Sequence, residues 1–354
     1  MRRTPRKRPR PLVPPKPVVR FTTPAQLVAS LPVSLGYTPT ESLVVVCCHE
    51  PRGRTGLTMR VDLPDPTHEG ALTGQVERIV RGQEATRVVL VVYTEEPDGA
   101  EKARAGLMRR LTDAFDDLVI TEALLVRGGR FWSYRCDGAC CPAEGRPIDE
   151  AADSAAVQTL RLEQLSRGES QLATREELEQ TLAGPAPLEE QVALQRCDQL
   201  LDLFESTCEQ AGPTEARRQA VQVWRTAVDE AEDPRWEVTP MQAAGLAVSM
   251  TDLVVRDSVA ALWEQDRPAL RRLLEQVARR TPPPYDAAVC TTLAWVTYCD
   301  GGGSITAIAL ERALRSRPDY SMALLLRHAM DNALPPEFVR VITDRTREAL
   351  KDCA

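Results

Sequence analysis

Two short runs constrain this chain most: residues 43–48 (LVVVCC) and 88–93 (VVLVVY). Six consecutive apolar residues, mostly β-branched, with no polar alternation form strands buried on both faces of a sheet. Helices must then cover both faces. Residues 56–62 (GLTMRVD) alternate as a partner strand should, and the HEPRGRT stretch before them carries the Pro and Gly of a hairpin loop. Leu72, Val76, Ile79 and Val80 share one helical face, and Ala103, Leu107, Leu111, Ala114 and Phe115 repeat that spacing. Residues 118–126 read as a further strand, and Arg127-Gly128-Gly129-Arg130 is a tight turn leading into a strand over 131–134. The expectation for residues 21–149 is an α/β domain: a mixed sheet with flanking helices.

After Asp149 the chain predicts helices alone, so the fold class is an α/β N-terminal domain followed by an all-α C-terminal region. Leu160, Leu162, Leu165, Leu172, Leu178 and Leu182 mark one helical stretch, Pro185 and Pro187 interrupt it, and residues 188–208 and 216–231 resume the period. Thr281-Pro282-Pro283-Pro284 divides a helical region over 150–280 from a last part over 281–354. That part reads helix, glycine turn (Gly301 to Gly303), Ser304 as N-cap, and a helix stopping before Pro318. Its hairpin is tetratricopeptide-like: Leu293, Ala294, Leu310 and Ala313 fall where that repeat wants apolar and small residues, while Cys290, Thr297 and Thr306 depart from the pattern.

Charge divides the chain differently. Of 354 residues, the first twenty hold eight basic groups, six prolines and no acid, which leaves 36 basic against 51 acidic groups in the remainder. Such an arm is expected to be disordered, and it is the one segment suited to nucleic acid, because phosphate binding relies on Lys and Arg. An acidic body is a poor polyanion surface. The apolar runs are far shorter than the roughly 20 residues that cross a bilayer, so no membrane partner is expected. The basic start meets Pro11 and Pro14 rather than an apolar stretch, which makes the cytoplasm the expected location and the ten cysteines mostly reduced thiols.

Two constellations carry potential chemistry. The segment FWSYRCDGACC (131–141) brings Cys136, Cys140 and Cys141 together at a C-x3-C-C spacing. Zinc wants four thiolate or imidazole ligands, and a fourth would come from Cys47, Cys48 or His49; redox-active thiols, or thiols simply packed in a turn, fit the same residues. The second is a pair of loops after strands, Asp62 to His68 with Asp65, and Thr94 to Gly99 with Glu95. Were their strands to run the same way, both loops would open on the sheet edge where α/β folds bind ligands, with carboxylates suited to Mg²⁺, Ca²⁺ or acid–base work. Capping and solvated loops are the plain alternative. Neither G-x-x-x-x-G-K-[ST] nor a G-x-S-x-G elbow is present.

Residues 31–46 (LPVSLGYTPTESLVVV), 56–66 (GLTMRVDLPDP), 127–149 (RGGRFWSYRCDGACCPAEGRPID) and 309–326 (ALERALRSRPDYSMALLL) together resemble the actinobacterial domain-of-unknown-function family numbered 4192. The resemblance runs from about residue 22 to 336. It implies an actinobacterial or actinophage source and no activity. Arg60, Asp62, Trp132, Ser133, Tyr134, Cys136, Cys140 and Cys141 occupy its motif positions. Arg60 and Asp62 lie two apart on a strand, so they share a face and meet either a ligand or each other. The functional expectation is a cytoplasmic, non-enzymatic binding or protein-interaction module whose helical region meets a protein partner. The alternatives are a metal- or ligand-binding enzyme or sensor, and nucleic-acid contact through the arm.

Overall fold

The computed structural model describes residues 19–51, 53–98, 101–136, 138, 141–166, 170–265 and 267–350; most of the basic arm lies outside them. The chain enters through α1 (Pro24–Leu35), where Thr23 accepts the Gln26 N–H as N-cap and Pro24 sits in the first turn. Gly36, at φ 83°, ends the helix by returning its N–H to Pro32 and Val33.

Strands β1 (Ser42–His49), β2 (Arg54–Asp62), β3 (Arg87–Tyr93), β4 (Val119–Arg127), β5 (Arg130–Ser133) and β6 (Arg146–Pro147) form one sheet in the order β2-β1-β3-β4-β5-β6. Between them run α2 (Glu69–Gly82) and α3 (Ala105–Ala114). The sheet is mixed, since β1 pairs antiparallel with both β2 and β3, while β3 and β4 are parallel. β2, β3 and β4 therefore point the same way. Asp62, Tyr93 and Arg127 end these strands along one edge, where β1 and β5 begin.

Alternation divides the side chains between two cores. Val45, Cys47, Val88, Leu90, Val92 and Leu125 pack with Leu72, Val76 and Val80 of α2 and Leu107 and Leu111 of α3. Val44, Val46, Val89, Val91, Tyr93 and Phe131 pack with Val28 and Leu31 of α1. The central strands β1 and β3 are covered on both faces, as their unbroken apolar runs require. Helices α4 (Asp149–Ala152) and α5 (Ala155–Ser166) cover the outside of α1, with Val157 packed on Ala29 and Val33. The first helices after the change of character thus belong to the layer around the sheet.

The rest is helical: α6 (Arg175–Gln180), α7 (Pro187–Ala211), α8 (Pro213–Glu230), α9 (Pro240–Ser249), α10 (Leu253–Ala260), α11 (Ala269–Arg280), α12 (Asp286–Cys299), α13 (Gly303–Ser316), α14 (Ser321–Asp331) and α15 (Pro336–Ala349). Its largest core gathers Trp224, Met250, Leu270, Leu273, Val289 and Leu310. α12 is buried along almost its whole length and touches α9, α10, α11, α13, α14 and α15. Three threonines are tolerated there because their hydroxyls donate inward, Thr291 to Ala287, Thr292 to Ala288 and Thr297 to Leu293. Ser304 lies inside α13 and Gly302 takes the cap position instead. Tyr37, on the far side of Gly36, bridges to Leu172 and is buried with Leu178 and Leu182, which ties the start of the sheet layer to the helical core.

Candidate functional site at the sheet edge

The edge at which β2, β3 and β4 end is stapled by one carboxylate. Glu41 sits just before β1 at φ 39°, a left-handed conformation that costs a non-glycine residue roughly 1 kcal/mol or more. Its Oε2 accepts the Thr94 hydroxyl at 2.8 Å and its Oε1 accepts the Glu95 N–H at 2.8 Å, while its carbonyl accepts the Leu63 N–H at 2.9 Å. One residue thereby fastens the ends of three strands. Glu95 in turn accepts the Gly128 N–H, so the glycine turn, with both glycines at positive φ, is held against the end of β3.

Behind this staple lies a cavity of about 320 Å³ between α1, the strand ends, the glycine turn and α4–α5. That volume is at the lower end of cavities that hold small molecules. Tyr93 lines it, and the Tyr93 hydroxyl is buried with no hydrogen-bond partner. Burial raises the pKa of this phenol above its ordinary value, so it stays a protonated donor at any physiological pH. Pro32 and Val28 also line the wall. Lacking an N–H, Pro32 cannot give the Val28 carbonyl its helical hydrogen bond. Arg161 reaches the cavity from α5, and its one hydrogen bond to protein is a long one, 3.4 Å, to the Ala152 carbonyl. Thr38, Thr40 and Gln171 add further polar groups. With Glu41, Glu95, Arg127 and Asp149 also in the lining, a phenol residue, two guanidinium residues and three carboxylate residues surround one space.

The motif residues distribute themselves around this edge rather than into one centre. Glu95 is at the cavity. Arg60 and Asp62 pair with each other at 2.6 Å, and Arg60 also donates to the Thr40 carbonyl. Asp65 is exposed and accepts the His68 N–H through its carbonyl at the start of a short 3-10 turn. Trp132 and Tyr134 face α3 on the opposite side of the sheet: Trp132 Nε1 donates to the Ala143 carbonyl, and the Tyr134 hydroxyl donates to the Ala103 carbonyl at 2.6 Å. Arg127 lies over the Trp132 ring, 5.1 Å from its centroid, and ion-pairs with Asp98. Ser133 accepts the Arg135 N–H. These aromatic groups are engaged in fixing the hairpin and its return loop.

The described residues do not place Cys47, Cys48 or His49 beside Cys136, where a fourth zinc ligand would have to stand. Cys47 and Cys48 lie on β1 and Cys136 follows β5, with β3 and β4 between them, a separation of roughly 14 Å across the sheet. Cys47 and Cys48 moreover point to opposite faces, and burial pushes the Cys47 thiol up to about 12, away from the thiolate that metal binding and redox chemistry use. His49 packs against Gly56 at the far end of β1. Cys136 and Cys141 are half-buried, and Cys140 lies outside the described residues. Among the described residues no group of three or more His, Cys, Asp or Glu side chains is arranged to hold a metal ion.

Tyr93, Glu41, Arg161 and Pro32 were not singled out by sequence. Tyr93 ends an apolar run and reads as core, and Arg161 reaches the site only because α5 folds back over α1. The fold and edge define a class, a mixed α/β sheet with a carboxyl-edge cavity joined to a helical bundle. The chain belongs to the family described as domain of unknown function DUF4192, whose model matches residues 24–337. No curated protein and no solved structure matches it.

Proposed function

We propose that this protein is a binding module that takes a small polar molecule into the carboxyl-edge cavity. The observation that carries the reading is that Tyr93, a residue of the cavity lining, holds a buried hydroxyl with no partner in the protein. An unsatisfied buried hydroxyl costs about 1–3 kcal/mol, a cost that a ligand accepting its proton would relieve. The spare donors of Arg161 favour a ligand that also carries acceptor oxygens. Thermal unfolding with a panel of sugars, nucleosides, amino acids and carboxylic acids tests this. A ligand at about 100 times its Kd stabilises by about 2.7 kcal/mol. At least one compound class should raise the melting temperature of the wild type and fail to do so for Tyr93→Phe and Arg161→Ala. A panel without effect, or shifts retained in both variants, would contradict the reading.

A protein partner for the helical region is the second reading, supported by exposed apolar side chains on α14 and α15, where Leu325 is 72% and Phe338 56% exposed. The tetratricopeptide-like hairpin belongs to this reading: Leu293, Ala294, Leu310 and Ala313 are all buried. The six helices around α12 weigh against it, because repeat helices contact their sequence neighbours only. Pull-down with the wild type but not with a Leu325→Asp/Phe338→Asp variant would support the partner reading. Nucleic-acid contact rests on residues 1–20, almost all outside the described residues, and is tested by deleting them in a salt-dependent binding assay. No helix is long and apolar enough to cross a membrane among the described residues.

A further inference from the structure

A second cavity, of about 550 Å³, opens in the helical part between α6, the loop that follows it, and α13. Its construction follows from Arg312. This side chain reaches across the seam to hydrogen-bond the carbonyls of Leu182 and Thr281 and to ion-pair with Asp286 Oδ2 at 3.0 Å. Gly184 leaves room for the guanidinium, since a Cβ there would lie 3.0 Å from Arg312 Nη2. The strap keeps the loop away from α13 while holding it in place, and the cavity is the space beside it.

Two buried polar atoms of residues in this lining have no partner. Asp286 Oδ1 and Ser316 Oγ are both buried and unsatisfied, and both residues line the cavity. Asp286 is 1% exposed, and its Oδ1 can only accept, so what completes it must donate. Five carboxylates line the space, those of Glu176, Glu179, Glu190, Asp286 and Glu311, against the guanidinium groups of Arg312 and Arg315. Arg175 ion-pairs with Glu179 and Glu311, while Glu176 and Glu190 are exposed and have no ion pair of their own among the described residues. Leu182 and Ile308 add apolar side chains to the lining.

We propose that this cavity binds an aliphatic amine, a diamine or polyamine. One ammonium group donates to Asp286 Oδ1 and Ser316 Oγ, the methylene chain lies on Leu182 and Ile308, and a second ammonium meets Glu176 and Glu190. A neutral molecule of the same shape would leave the carboxylates unmatched.

Calorimetric titration of the full chain tests this with 1,4-diaminobutane and spermidine, and with 1,4-butanediol as the uncharged analogue. One saturable site for the amines and no heat with the diol are expected. Glu176→Gln/Glu190→Gln, at two exposed positions, should weaken the amines about tenfold, and Ala183→Trp, which narrows the mouth, should weaken them at least as much. Asp286→Asn should abolish the site. Should that variant not fold, Glu176→Gln/Glu190→Gln carries the test, because neither residue is a partner of Arg312. Three results would overturn the proposal: no amine binding up to about 10 mM, a Kd corresponding to about −2.7 kcal/mol; equal binding by all folded variants, which would show attraction to the acidic body alone; or equal binding of the diol.

Discussion

The two cavities share one device, a buried polar atom that no protein group satisfies, and build it by opposite means. At the sheet edge the atom is a neutral phenol, delivered by the last residue of a buried strand, and nothing else depends on it. In the helical seam it is one oxygen of a carboxylate whose other oxygen anchors a strap. Comparing them separates two costs. An unpaired hydroxyl weakens the fold by its own desolvation, so removing it should stabilise. An unpaired carboxylate oxygen is part of a buried ion pair, so removing either partner strands the other charge.

The largest expected effect breaks the seam. The side chains of Arg312 and Asp286 are only 11% and 2% exposed, and Arg312→Ala removes the ion pair together with two carbonyl contacts. Loss of a buried partner costs about 3–5 kcal/mol, read by urea unfolding. Tyr93→Phe should move the other way, and a loss of comparable size there would erase the distinction. An intermediate effect serves as a control outside both cavities. Gly145 has φ 74°, and a Cβ on it would lie 2.5 Å from the Trp132 ring. Gly145→Ala should cost about 2 kcal/mol through backbone strain and displacement of the ring, with ligand-induced shifts at the helical cavity unchanged.

The smallest effect concerns the ionic scaffold on the α3 side of the edge. Burial alone would raise the Asp98 pKa, but the Ala103 N–H and Arg127 outweigh it and lower it below the ordinary 3.8. A carboxylate depressed in the folded state contributes stability that is present above pH 3.8 and is lost as pH falls through the lower, folded value. Asp98 is partly exposed, so solvent screening keeps the contribution small. Melting temperatures recorded downward from pH 5 should fall slightly less steeply for Asp98→Asn than for the wild type.

The sheet was legible because burial on both faces leaves its mark in composition: residues 43–48 and 88–93 had no other structure to adopt. The sequence left open whether β2 and β3 run the same way; β1 pairing antiparallel with both decides it, and with it the edge at which Asp62 and Glu95 stand. Arg60 and Asp62 shared a face as their spacing required, and met each other there. The cavity was not legible. It needs α4 and α5 to return to α1, and nothing in the helical period of residues 155–166 says which surface they cover. The fourth zinc ligand expected from β1 failed for a related reason, since strand order, which spacing does not encode, puts two strands between Cys47 and Cys136.

The central claim is that the Tyr93 hydroxyl is held for a ligand and not for the fold, and urea unfolding of wild type and Tyr93→Phe without added ligand tests it most directly. The account predicts a variant more stable by about 1 kcal/mol, because a buried group without a partner has been removed. A variant less stable than wild type would show that the hydroxyl is satisfied within the protein, and the edge cavity would lose the observation on which its function rests.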